Sequence, residues 1–238
     1  MTSADAPTIT PGFKEDPMTT PATPSREADP VLASRETEEP TLYKAVASAA
    51  YRLQRNILSG DSHAQAGARA ILSLLRRAVA QEPGDDPLVW NAVAQDILGE
   101  LPSRDVGRGD APSPAEWAAF VAITLFASHQ QSQRAPMHVQ GVSVGSAVAR
   151  LRRANDGGSI KARLDAVMVA STPRALRYHL RSLVSLLGAH GVPLDYGRLA
   201  EDLRRLRHPE HRRGVVLRWG RDYAAGLSRA PGTATTDD

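Results

Sequence analysis

Three sets of residues in this sequence have types and spacings that could do chemistry. Gly141-Val142-Ser143-Val144-Gly145 fits the G-x-S-x-G pattern of a nucleophile elbow, in which a strained strand-to-helix turn holds a serine hydroxyl exposed. His208 and His211 stand three apart, so one helix face could offer both rings to a metal ion. The third set is made of arginines. With a helix starting at Pro173, Arg174, Arg177 and Arg181 fall at i, i+3 and i+7 on one face, opposite Leu176, Leu180, Leu183, Val184 and Leu187. Arg150 and Arg153 pair similarly on a preceding helix, Lys161 and Arg163 sit on the next, and Arg76 and Arg77 form an earlier doublet.

These sets are not equally persuasive. An elbow needs a strand before it, whereas residues 133–140 are polar and proline-broken, so Ser143 reads as a helix cap. The histidine pair has no third ligand at a motif-like spacing, and the arginines around it would repel a cation. The chain has no cysteine, which excludes disulfides and thiolate sites. Nor does it carry a P-loop or a dinucleotide fingerprint. Guanidiniums, by contrast, are permanently charged and can form two parallel hydrogen bonds to a phosphate. The residues therefore point away from an enzyme, a metal or a cofactor and toward a polyanionic partner.

The distribution of charge supports that direction. The formal net charge is only +3. Residues 1–40 carry −5, residues 41–127 carry −1, residues 128–227 carry +10 and the last eleven carry −1. A GC-rich genome favours arginine over lysine (26 against three here), but it does not gather the excess into one half. Seventeen basic groups face seven acidic ones in residues 128–227, so at least ten lack a carboxylate from that segment even with complete pairing. Phosphates neutralised by such groups release counterions, which gives sequence-blind, salt-sensitive affinity.

The elements that must position these arginines read as helices throughout. Apolar residues recur at three- and four-residue spacing in Leu42–Leu58, Ser62–Gln81 and Leu88–Leu98. Ser113-Pro114-Ala115-Glu116 is a capping-box start for a helix burying Trp117, Phe120, Val121, Thr124, Leu125 and Ser128. Further helices are expected at Ser143–Asn155, Ser159–Ala170, Pro173–His190, after Asp195 to Arg207, and Pro209–Ala225, with Asp156-Gly157-Gly158 as a break. The fold class is thus all-α, a helical bundle of about eight or nine helices. The expected division is an N-terminal bundle over 41–132 and a basic C-terminal bundle over 133–227. Residues 1–40, acidic and with seven prolines, read as a disordered arm, and 228–238 as a disordered tail. The arm could compete with nucleic acid for the arginine face. No signal peptide is visible, and the longest nearly apolar run, Trp117–Ala127, is about half of the ~20 residues a bilayer requires. The expected location is cytoplasmic, with no membrane contact.

The chain from His129 onward resembles a known family. His129-Gln130-Gln131, Met137-His138, Gly141, Ser143 and Gly145 are similar to the central signature of the small subunit of the type I-E CRISPR surveillance complex, Cascade (the CasB family). Arg163, His179-Leu180-Arg181, Leu194-Asp195-Tyr196, Leu199, Asp202-Leu203 and Trp219-Gly220-Arg221-Asp222-Tyr223 follow in the family's order. Upstream, Ala68-Arg69-Ala70 and Leu74-Leu75-Arg76-Arg77 look like its first helices. The resemblance implies a non-catalytic, all-helical subunit of two small bundles that helps hold the guide RNA–target duplex and the displaced DNA strand. It further implies contacts with the large subunit, the repeated backbone subunits and a second copy of the same chain. Arg76, Arg77, Arg163 and Arg181 match the family's basic motif positions, whereas Arg150, Arg153, Arg174 and Arg177 rest on helical geometry alone. A helical transcriptional regulator is the alternative, but no segment shows a short turn leading into a base-reading helix.

Overall fold

The computed structural model describes residues 41–155 and 159–228. The expected arm over 1–40, the break at 156–158 and the tail from 229 lie outside the described residues. Among the described residues nine α-helices run in order: α1 (Leu42–Leu58), α2 (Ser62–Arg77), α3 (Pro87–Asp96), α4 (Pro114–His129), α5 (Val144–Ala154), α6 (Ser159–Val169), α7 (Pro173–Ala189), α8 (Tyr196–Leu206) and α9 (Pro209–Ser228). Among the same residues the only β feature is an isolated bridge between His138 and Leu194. The all-α expectation holds. The differences are at helix ends: α2 stops at Arg77 and α9 runs on through Ser228.

Short polar side chains start these helices. Thr41, Asp61, Asp86, Ser113, Ser143, Thr172 and Asp195 each accept a hydrogen bond from a first-turn backbone N–H, satisfying donors that have no intrahelical partner. At α4 the reciprocal capping box forms, with the Ser113 backbone N–H donating to Glu116 at 2.7 Å.

α4 is the centre of the core formed by the described residues. Its residues from Ala115 to Ala127 are all buried, so it is apolar around its full circumference and enclosed by other helices. Thr124, its one buried hydroxyl, donates to the carbonyl of Phe120 at 2.8 Å. The expected burial of Trp117, Phe120, Val121, Thr124 and Leu125 is found, while Ser128 is only half-buried. α2, α7 and α8 pack on α4, α1 lies against α8, and α5 crosses α9. Helices from both sides of residue 133 contribute to one continuous buried core.

Two crossings are closer than ordinary side chains allow. A Cβ on Gly145 in α5 would sit 2.1 Å from the Trp219 carbonyl oxygen of α9, and one on Gly197 in α8 would sit 2.7 Å from that of Tyr43 in α1. Both positions need glycine because neighbouring backbone occupies the Cβ space.

Candidate nucleic-acid interface

The segment between α4 and α5 is held by buried polar side chains. Gln54 brackets residue 138, donating to its carbonyl at 3.0 Å and accepting its N–H at 2.9 Å. Gln130 does the same for the preceding turn, accepting from Met137 N and donating to the Ala135 carbonyl, each at 3.0 Å. Asp195 accepts from Gly141 N at 2.8 Å, from the Tyr43 hydroxyl at 3.2 Å and from Arg198 N at 3.0 Å. Gly141 needs its glycine, with φ +79°. The His129 Nδ1 lies 2.7 Å from the Tyr196 hydroxyl, and burial drives its pKa down to about 4. Burial also lowers the His138 pKa, against the opposing pull of Asp195.

This geometry disposes of the hydrolase reading. Ser143 is buried, precedes α5 as its N-cap and accepts from Ser146 N at 3.2 Å, and no strand leads into it. His208 and His211 have ring centroids 5.9 Å apart and flank the Glu210 carboxylate. Among the described residues, no group of three His, Asp or Glu side chains is placed to hold a metal ion.

Many arginines work inside the fold. Asp202, almost fully buried, is met by the Arg218 guanidinium and by the Trp219 indole N–H at 2.6 Å, yet desolvation still raises its pKa. Arg212 donates to the Met168 and Ala170 carbonyls at 2.9 and 2.5 Å, joining α9 to the end of α6. Arg198 pairs with Asp222 at 3.1 Å, and Arg207 lies over the Trp117 ring at 5.2 Å. Arg204 binds Glu201 at 2.8 Å.

The eight arginines singled out in the sequence separate by environment. Arg177 does not stand outward with its helical neighbours. It is 7% exposed, donates to the carbonyls of Gln81 and Ala80, and pairs with Glu82 at 3.0 Å. Helical spacing put it on the charged face, but that flank of α7 is covered by the turn following α2. Arg163 is half-buried and donates to the Ser182 hydroxyl across α6 and α7. Arg174 and Arg181 are exposed, as are Arg77, Arg150 and Arg153, while Arg76 is half-buried.

Two clefts lie along α7. One is lined by Arg174, Arg177, Tyr178 and Arg181 with Val79 and Ala80, the latter pair just beyond Arg76 and Arg77. The other is lined by Arg163, His179 and Ser182 with Ser159, Ala162 and Ala166. α7 therefore gathers Arg163, Arg174 and Arg181 around one helix, whereas Arg150 and Arg153 sit apart on α5. A further basic cleft, formed by Arg204, Arg205, His208 and His211, is not foreseen from the sequence. The available signals are the Arg204-Arg205 doublet and the arginines around the His208 and His211 pair; periodicity within single helices passes over the junction of two.

The fold and this site together define a class: a helical scaffold with arginine-lined clefts along its surface. Its family follows from comparison with known proteins. The model for the family described as CRISPR-associated protein Cse2 matches residues 70–223, and the chain belongs to that family. Among solved structures it is similar to CasB from Thermobifida fusca, at 28% identity and a TM-score of 0.62 over 76% of this chain and 97% of that one. It shares its fold with CasB from Thermus thermophilus, at 23% identity and a TM-score of 0.57 over 78% and 99% of the two chains. A chain of a CRISPR RNA-guided surveillance complex is similar at 22% identity and a TM-score of 0.57, over 78% and 95%. No curated protein matches significantly in sequence.

The residues that carry the resemblance turn out to be mostly structural. His129, Gln130, Met137, His138, Ser143, Asp195, Tyr196, Asp202 and Trp219 are all buried. They fix the α4–α5 segment and the seat of α9; the exposed arginines are a separate layer.

Proposed function

We propose that this protein is a non-catalytic subunit of a CRISPR RNA-guided surveillance complex that grips nucleic-acid backbone and stabilises the R-loop. Its partners are then the guide RNA, the target and displaced DNA strands, the large and backbone subunits and a second copy of itself. Family membership and the fold shared with a chain of such a complex support the assembly. The observation that carries the nucleic-acid role is the pair Arg174 and Arg181, exposed on α7 with no acidic side chain among the described residues lining their cleft. Arg76 and Arg77 at the end of α2, Arg163 on α6, and Arg150 and Arg153 on α5 extend the basic surface on this reading. Exchanging a DNA duplex for a guide–target duplex is nearly balanced in energy (a principle framed for another CRISPR effector), so modest backbone contacts tip it. Contacts of this kind read no bases.

Replacing Arg163, Arg174 and Arg181 together by alanine tests the proposal in the complex assembled with its other subunits. R-loop formation should weaken uniformly across target sequences. The slope of log affinity against log salt should flatten by about 0.7–0.9 for each phosphate that is no longer neutralised. Unchanged affinity and slope would refute this placement of the interface.

A further inference from the structure

The cleft beside Arg174 and Arg181 contains something that backbone binding does not need. Tyr178 is 71% exposed, one of the most exposed large apolar side chains among the described residues. It lies between the two arginines at i+4 from Arg174 and i−3 from Arg181, so the three share a stripe along α7. At 1.5 Å per residue the arginine Cα atoms are ~10 Å apart along the helix axis, with the ring between them. The His179 ring stands nearly perpendicular to that of Tyr178, at 5.3 Å between centroids and 78° between planes, so it can lie against one face of Tyr178 at most, and the high exposure leaves an aromatic face open to solvent. Beneath the stripe, Arg177 ties α7 to the carbonyls of Ala80 and Gln81, so the platform is fixed in place.

An uncovered aromatic face between two exposed guanidiniums suits one ligand chemistry: a nucleobase with its flanking phosphates. Stacking on an aromatic ring requires an unpaired base, and it is tolerant of sequence because every base has a π-face. We infer that Tyr178 is a stacking platform for an unpaired base of single-stranded DNA, with Arg174 and Arg181 holding the phosphates on either side. This rests on the proposed function, since in an R-loop the displaced strand is the one whose bases lose their partners. The positive lining of the cleft disfavours a purely apolar occupant, because such a partner would have to desolvate Arg174 and Arg181.

The test uses the full-length protein, oligo-dT with a single 2-aminopurine, an oligo-U of equal length, and a DNA duplex, all at low salt. Tyr178 is on the surface, and melting curves check that Tyr178→Ala and Tyr178→Phe fold. Tyr178→Ala should weaken oligo-dT binding by roughly 5- to 150-fold and relieve the 2-aminopurine quenching, while duplex binding is unchanged. Tyr178→Phe should retain both properties. If Tyr178→Ala changes nothing while the double replacement of Arg174 and Arg181 by alanine weakens both DNA forms, stacking is wrong and backbone binding stands. If neither variant changes binding, both readings fail. An equal loss on duplex and single strand overturns the inference, as does an effect confined to oligo-U. Loss of assembly with the other subunits but normal oligo-dT binding would assign Tyr178 to a protein interface instead.

Discussion

Acidification should weaken this fold in a defined window through His129. The ring is buried beside Tyr196, 2% exposed, and desolvation holds its pKa down at about 4 against an ordinary 6.5. Between those values the unfolded chain binds a proton that the folded chain refuses. Stability is therefore intact above pH 6.5 and falls as pH drops toward 4. Linkage gives about 2 kcal/mol lost between pH 7.5 and 5, rising to roughly 3 kcal/mol below pH 4. For a chain of this size that corresponds to a drop in Tm of roughly 4–8 °C between pH 7.5 and 5. His138, with its pKa also lowered by burial, adds in the same direction. Urea unfolding of the wild type and of His129→Gln at pH 7.5, 6 and 5 separates the two. The variant should be less stable at neutral pH because packing and the Tyr196 hydrogen bond are disturbed, but its pH dependence should be shallower by about 2 kcal/mol over the window. Parallel curves for the two proteins would refute the assignment.

Two further substitutions test the packing. Gly145→Ala should cost about 1–3 kcal/mol or more, read as a lower urea midpoint, because the new methyl group meets the Trp219 carbonyl oxygen rather than a movable side chain. Arg177→Met should destabilise by about 1–3 kcal/mol by leaving the Ala80 and Gln81 carbonyls without their donor, and it should leave the salt slope of DNA binding unchanged.

The helices were legible in the sequence because their boundaries are written in local chemistry. Ser113, Ser143 and Asp195 each announce a start, and each accepts the expected backbone hydrogen bond. The end of α2 was overrun because Ala78 and Val79 continue the apolar spacing, although they are buried in the turn beyond Arg77. The site was only partly legible. Periodicity on α7 correctly separates a leucine face from a charged one, but it is blind to what covers each part of that charged face. Arg177 illustrates the gap, since its partners lie nearly a hundred residues away in sequence. The basic cleft at Arg204, Arg205, His208 and His211 escaped for the related reason that it forms where α8 meets α9.

The close seat of α9 on α5 also bears on the order in which this protein is made. α5 emerges during synthesis more than fifty residues ahead of the helix that covers it. Until residues 209–228 leave the ribosome, the groove around Gly145 faces water and the Asp202 carboxylate lacks its indole and guanidinium partners. Closure of that part of the molecule is thus a late event, and a nascent chain stalled before Pro209 presents an apolar seam to chaperones or to other incomplete copies.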